Sequence, residues 1–320
     1  MTAIVGLGVH VPRYRIDADA LAAAPGGFGA AGIRETAVAG PDEDSLTMAV
    51  EAATRALAAA DLDRERVSAL AVGTTTPPLA ESDLSAQVVE MLGLPRDVET
   101  AVTTQSTRAG VSALKLADAL RDGPALVVAA DAPEGEPDDD IGQAAGAGAV
   151  ALVLADEGPA TVHGTASYAR EFPGTRYRER GETSTRSYGA TAYERRAYRE
   201  TVAGAIEALS VAPVAIAPTA PDGSMPYRAT GDLSNDPDVF ERASSLGDTG
   251  AASPLFGLVA AWEADATDVA VVGYGDGAAA DVAVVRGTAP VRAPPGETVS
   301  LTYEEYLRYR GETVSEGGRR

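Results

Sequence analysis

The chain has 320 residues, no cysteine, two histidines and 26 Lys+Arg against 47 Asp+Glu, which sets a net charge of −21. The missing cysteines exclude a disulfide scaffold, a thiolate nucleophile, a cysteine zinc site and an iron–sulfur cluster. His10 and His163 leave little for a metal site or a histidine-based triad, and so acidic a chain is poorly suited to nucleic-acid phosphates.

Short apolar runs alternate with amphipathic stretches along the whole chain. Residues 4–11 read as a strand ended by Pro12. Residues 46–60 read as a helix, with Ser45 as its N-cap and Leu46, Val50, Ala53 and Leu57 on one face. A buried strand follows at 67–74, and a helix at 84–92 is closed by Gly93 and Pro95. Residues 98–103 form a strand, 107–120 a helix, and 125–130 and 149–154 two strands around a Gly/Ala/Asp-rich connection. Both histidines fall in strands expected in the sheet core. In the second half, 162–168 is a strand and 170–186 a charged loop or exposed flap. A helix spans 191–209, and a strand at 214–217 leads into a Pro-rich loop through Pro226. Then come a helix at 254–263 opening on proline, strands at 269–272 and 280–285, a tail helix at 303–310 and frayed final residues.

Two stretches resemble each other. Residues 125–154 and 269–285 each place a Gly-rich loop between two apolar strands, and each follows an apolar helix. A duplicated α/β unit with helices packed on buried sheets is the expectation. No run is long enough to span a membrane and no basic leader precedes residue 4, so a cytoplasmic protein is expected. Lys115 is the only lysine. An acidic, lysine-poor surface suits concentrated salt, which screens self-repulsion; a GC-rich genome would produce the same arginine bias.

Several strings are similar to the thiolase superfamily, and more closely to archaeal-type 3-hydroxy-3-methylglutaryl-CoA synthases, over about residues 3–310. The opening residues 4–16, Ile-Val-Gly-Leu-Gly-Val-His-Val-Pro-Arg-Tyr-Arg-Ile, resemble that family's first strand. Residues 41–53, Pro-Asp-Glu-Asp-Ser-Leu-Thr-Met-Ala-Val-Glu-Ala-Ala, carry the most specific match. Gly273-Tyr274-Gly275-Asp276-Gly277-Ala278 resembles the glycine turn near the active site, and 303–310 the closing Tyr-rich helix. The resemblance implies an α/β thiolase fold: two pseudo-symmetric halves, 1–158 and 159–320, in an α-β-α-β-α arrangement. It implies a coenzyme A thioester as ligand, a homodimer, and a complex with an acetoacetyl-CoA thiolase and a zinc-ribbon/OB-fold protein. Mevalonate synthesis is implied in the same way. No metal, nucleic acid or membrane is expected.

The family's Claisen-type condensation uses a cysteine that takes the acetyl group, a glutamate that helps form the carbanion, and a histidine. At these places the chain departs. The family's Cys-Lys-Ala-Gly aligns with Thr107-Arg108-Ala109-Gly110, and Gly-Ser-Glu-Ser aligns with Gly73-Thr74-Thr75-Thr76. His-Gln-Pro-Asn-Gly aligns with Thr219-Ala220-Pro221-Asp222-Gly223, and Gly-Asn-Thr with Gly247-Asp248-Thr249. The resemblance thus sets Thr107, Thr75 and Thr219 at the cysteine, glutamate and histidine positions. Asp248 is left as a candidate for residual proton transfer. Arg108, Gly247, Gly250, Gly275 and Gly277 are candidate substrate-binding positions.

A threonine hydroxyl without a base is a weak nucleophile, and loss of a cooperating set removes its rate advantage. A non-catalytic homologue that binds acyl-CoA or supports a partner is therefore the first expectation. An acyltransferase or acyl-CoA hydrolase using the remaining Thr, Asp and backbone donors is the alternative. Blander roles stand beside the functional ones. Thr107 suits an N-cap, Thr74–Thr76 a strand end, Glu81–Asp83 a solvated helix start, and Asp138–Asp140 an acidic surface loop rather than a metal site. The Arg-rich 176–199 segment suits either CoA phosphates or an exposed mixed-charge face. Gly275-Asp276-Gly277 lacks the Lys-Ser/Thr of a phosphate loop.

Overall fold

Apolar strands bounded by glycine and proline, alternating with helices that carry an apolar face, stack here into five layers. The computed structural model describes residues 2–23, 27–233 and 235–311. The first part contains β1 (Thr2–His10), β2 (Tyr14–Asp17), α1 (Ala18–Ala22), β3 (Glu35–Val38), α2 (Ser45–Ala59), β4 (Ala69–Gly73) and α3 (Leu84–Leu92). It continues with β5 (Glu99–Thr103), α4 (Ala109–Leu120), β6 (Ala125–Asp131), α5 (Asp140–Ala144) and β7 (Gly148–Ala155). Then follow β8 (Ala160–Phe172), α6 (Thr191–Glu207), β9 (Ala215–Pro218), β10 (Asp238–Val239), α7 (Ala243–Leu246) and α8 (Ser253–Glu263). The chain closes with β11 (Asp268–Gly275), β12 (Gly277–Gly287), β13 (Val291–Arg292), β14 (Val299–Ser300) and α9 (Tyr303–Tyr309).

The main sheet runs β10-β9-β11-β12-β8-β1-β7-β6-β4-β5, with β13 added beside β1. β4 pairs in parallel with β5 and β6, and β9 with β10 and β11. The antiparallel pairs β6–β7 and β11–β12 close two similar units, each introduced by a helix, α4 or α8. β1 and β8 join the two stretches of sheet through a short antiparallel register.

Helices α4 and α8 lie between the two stretches. Their apolar residues share one core with β1, β4, β6 and β7 on one side and β9, β11 and β12 on the other. This explains why nine of the 11 residues of α8 are buried: both of its faces meet sheet, so it has no solvent stripe. α2 and α3 cover the outer face of the first stretch, and α6 that of the second. A small sheet, β14-β2-β3, packs with α9 at the edge of the molecule.

Most elements fall where the sequence places them, and α3 matches residue for residue. Gly93 ends it in the left-handed conformation at φ 65°, where a side chain would be strained. Four expectations need correction. Asp44, not Ser45, caps α2: its carboxylate accepts from Thr47 N at 2.7 Å, while the Thr47 hydroxyl accepts from Asp44 N at 2.8 Å. Ser45 instead donates to the Thr76 carbonyl at 2.5 Å. The buried face of α2 is centred on Met48, Ala49, Ala52, Ala53 and Ala56, and Leu46 and Val50 are only half-buried, because β1 approaches the small residues closely. His163 is exposed on β8 and His10 is partly exposed at the end of β1, so neither belongs to the core. The Gly/Ala/Asp-rich connection contains α5, capped by Asp139, which accepts from Gly142 N at 2.6 Å. The frayed ending expected of the sequence lies outside the described residues beyond 311.

Candidate functional site

The ends of β4, β6, β9 and β11 and the N-terminus of α4 converge on one region, and the candidate residues meet there. β4 stops at Gly73, so Thr74–Thr76 is not a strand end but a turn, held by one carboxylate. Asp131, at the end of β6, is fully buried. Its Oδ1 accepts from the Thr74 hydroxyl at 2.8 Å, Thr75 N at 2.6 Å, Thr76 N at 3.0 Å and the Thr76 hydroxyl at 3.0 Å. Its Oδ2 accepts from the Thr75 hydroxyl at 3.0 Å and Ala251 N at 2.6 Å. Burial pushes the Asp131 pKa up, against the opposing pull of those donors.

Gly250 makes this arrangement possible. Its φ of 52° is left-handed, and a Cβ there would lie 2.1 Å from Asp131 Oδ2. Gly110, in the first turn of α4, approaches the next residue as closely: a Cβ would stand 2.2 Å from the Ala251 carbonyl oxygen. Helix α4 and the Asp131 turn are thereby packed against the same backbone.

Thr107 and Thr219 are joined through Tyr274. The Thr107 hydroxyl donates to the Tyr274 carbonyl at 2.7 Å. Tyr274 N donates to the Thr219 hydroxyl oxygen at 2.9 Å, and the Tyr198 hydroxyl donates to the Thr219 carbonyl at 2.7 Å. Thr107 is therefore not the N-cap of α4; that position falls to Arg108, which makes no side-chain cap bond. Thr107 and Thr219 are both buried. Burial raises the pKa values of both Tyr198 and Tyr274, so these phenols stay neutral.

Beside them lies a buried ion cluster. Arg176 pairs with Asp248, whose side chain is 3% exposed. Burial works against the Arg176 charge, but Asp248 and Asp276 outweigh it and hold its pKa above the ordinary value. Asp248 is pinned by its own backbone, donating N–H to Ala144 O at 2.6 Å and accepting from Gly146 N at 2.9 Å, while its Oδ1 accepts from Gly250 N at 2.9 Å. Asp276 has a pKa pushed up to about 6 by burial, eased by Arg176, worsened by Asp248 and lowered again by hydrogen bonds from Tyr274 and Thr175.

Arg176 belongs to the segment expected as a loop or flap. Residues 170–172 complete β8; the rest folds into a hairpin. Tyr177 and Arg186 exchange backbone bonds at 2.8 and 2.9 Å, and Tyr188 N donates to Gly174 O at 3.1 Å. The Tyr177 and Tyr188 rings pack 5.4 Å apart. Arg178 donates to the Thr75 carbonyl at 2.7 Å, and Thr185 N to Glu134 O at 2.9 Å. The expectation of an exposed mixed-charge face across 176–199 thus fails at Arg176, which turns inward because two carboxylates await it.

Other candidates are more peripheral. Arg108 is partly exposed and lies 3.6 Å from Asp281, which also receives Lys115 at 2.7 Å. Gly247 and Gly275 are buried, and Gly277 is exposed at the rim. Asp131, Arg176 and Asp276 were not singled out as site residues by the sequence. Asp131 has one signal, a lone carboxylate ending a fully apolar strand; Arg176 and Asp276 enter the sequence reading only within the Arg-rich 176–199 segment and the glycine turn at 273–278. Among the described residues no group of three or more His, Asp or Glu side chains suits a metal ion, and no helix is long and apolar enough to cross a membrane.

No family model matches the chain. A hydroxymethylglutaryl-CoA synthase of Methanopyrus kandleri is 31% identical over 341 aligned residues, covering 96% of each chain. Among solved structures, MvaS in complex with 3-hydroxy-3-methylglutaryl coenzyme A superimposes with a TM-score of 0.83 at 21% identity, over 97% of this chain and 91% of that one. The 3-oxoacyl-[acyl-carrier-protein] synthase III of Aquifex aeolicus VF5 superimposes with a TM-score of 0.75 at 21% identity, over 89% of this chain and all of the other. These structural likenesses show the thiolase fold.

Proposed function

The chain belongs to the hydroxymethylglutaryl-CoA synthase family, and on that premise we propose that it has lost the condensation and serves as a non-catalytic acyl-CoA-binding or structural partner in a thiolase/OB-fold assembly. The observation that carries this reading is the state of the three threonines at the family's cysteine, glutamate and histidine positions. Each is bound into the protein's own hydrogen bonds. The one proton of Thr107 is directed at a peptide carbonyl, which is no base, so nothing activates its oxygen. Thr75 is a donor to a carboxylate and has no titratable group of its own. Thr219 accepts a backbone N–H and cannot replace an imidazole.

Electrostatics support the same reading. A carbanion and its oxyanion need donors free to meet developing negative charge. Here the cation of the cluster, Arg176, is already paired with Asp248, and the partly buried Asp276 and the buried Asp131 add further carboxyl groups. Asp248 is engaged by Arg176 and by Gly250 N, which weighs against its use in proton transfer.

Coenzyme A thioesters remain the ligand class this reading implies, with an exposed arginine such as Arg180 as a phosphate partner. A homodimer is part of the proposal. β5 is one of the two edges of the main sheet, and Val102 on it, with Leu116 and Leu120 on the neighbouring α4, are exposed apolar side chains. An uncovered edge with apolar neighbours favours pairing with a second chain.

The deciding experiment is CoA release from acetyl-CoA plus acetoacetyl-CoA, with protein purified in multimolar KCl and mass-checked for contaminating thiolase. We expect no release above the Thr107→Ala control. Turnover that disappears in Thr107→Ala would establish a hydroxyl-based enzyme and overturn the proposal.

A further inference from the structure

We propose that residues 173–189 form a lid that opens as a unit over the site at Thr75, Thr107 and Thr219, and that Arg176 is its latch. The hairpin meets the site at several points. Arg176 pairs with Asp248 and lies within reach of the charge of Asp276, Thr175 hydrogen-bonds Asp276, and Arg178 donates to the Thr75 carbonyl. Yet none of residues 173–189 belongs to an apolar core cluster; the clusters take up Phe172 before the hairpin and Tyr193 after it. Its own backbone ladder consists of Tyr177 with Arg186 and the bond from Tyr188 to Gly174. A segment held by polar contacts, with little apolar burial, belongs to the low-stability end of a fold and opens without global unfolding.

The two ends have the backbone freedom such a movement needs. Gly174 and Gly189 flank the hairpin at φ 79° and 69°. Between them, the contact that withstands solvent competition is the buried one. Arg178 is exposed, so its bond to Thr75 is easily exchanged for water. The Arg176 side chain is 12% exposed and its partner Asp248 3%, and separating a buried pair leaves both charges uncompensated until water enters. Arg176 thus sets the opening equilibrium. In the closed state it is seated on Asp248, and Thr107 is buried, so on this proposal access to Thr107 follows the opening of the lid.

This inference rests on the proposed function only in naming the site, and its test uses no ligand. The chain has no cysteine, so Thr107→Cys supplies a single thiol at a buried position of the site. Its reaction rate with Ellman's reagent reports access, with the urea-unfolded protein as reference. We expect slow modification in Thr107→Cys alone. Adding Arg176→Ala should accelerate it at least tenfold while hydrogen exchange of the β6 amides stays unchanged. Tyr188→Ala, at an exposed position, removes the ring contact to Tyr177 and tests the lid even where loss of Arg176 prevents folding; its expected acceleration is smaller, about threefold. The proposal is overturned if Thr107→Cys alone reacts as fast as the unfolded chain, or if thiol access and β6 exchange rise together. It is equally overturned if the folded variants leave the rate unchanged. A chain active in CoA release but with a slow, Arg176-controlled thiol would refute the proposed function and leave the lid standing.

Discussion

Replacing Asp131 by asparagine keeps its shape and removes half of its accepting capacity. In the folded protein Oδ1 accepts four hydrogen bonds and Oδ2 two. An amide must turn its NH2 toward one of these sets. Facing the Oδ2 set, it meets the Thr75 hydroxyl and Ala251 N; facing the other, it meets two hydroxyls and two N–H groups. Hydroxyls can rotate away, but Ala251 is fully buried and its N–H has no water to turn to. One stranded buried donor costs about 1–3 kcal/mol, and the bonds that survive lose their charge assistance. The total for Asp131→Asn is about 2–4 kcal/mol, after allowing for relief from burying a charge. At roughly 2 °C per kcal/mol for a large domain, Tm should fall by about 4–8 °C. Asp131→Ala takes the acceptor from Thr75 N and Ala251 N, leaves Thr76 N only its 3.1 Å bond to the Thr74 hydroxyl, and should fall further. The assay is thermal unfolding in concentrated KCl at pH 7, followed through Trp262, the single tryptophan, 7% exposed. An Asp131→Asn protein melting within 1 °C of the parent would refute the assignment of Asp131 as the acceptor that holds the Thr74–Thr76 turn.

Two further outcomes follow from the same geometry. Asp276 has a folded pKa of about 6 against an ordinary 3.8, so the folded state binds its proton more tightly than the unfolded one. Stability then declines as pH rises from about 4 to about 6 and levels off above, by at most about 3 kcal/mol. Relative to Asp276→Asn, which lacks this proton, the parent should gain several degrees of Tm between pH 7 and pH 4.5; parallel pH profiles would reject the shift. If β5 is the dimer edge, light scattering should give twice the chain mass for the parent, and Val102→Glu should move it toward one chain mass. A parent that is monomeric at micromolar concentration would remove β5 from consideration as an interface.

The fold was legible because its signals are local. An apolar strand ending in glycine, or a helix such as α3 with Asp83 before it and Gly93 after it, declares its limits within ten or so residues. The short strings similar to the synthase family carried the rest, including the glycine turn at 273–278 and the helix after Thr107. Less legible were elements whose stability comes from neighbours. β2, β3 and β14 are too short to declare themselves and exist because α9 and the buried Tyr306 cover them. Ser45 is as good an N-cap as Asp44 by residue type; the position of Thr76 decided between them.

At the site the division is sharper. By residue type and motif frame alone, the sequence determined that Thr75, Thr107 and Thr219 offer no thiolate, carboxylate or imidazole, because side-chain chemistry does not depend on the fold. Only the tertiary structure decided where each hydroxyl points, that Asp131 binds a turn 55 residues or more away in sequence, and that Arg176 leaves an arginine-rich surface for the buried Asp248. Hydrogen bonds and ion pairs between distant segments are set by the meeting of strand ends, and no local pattern of residue types encodes which donor will find which acceptor.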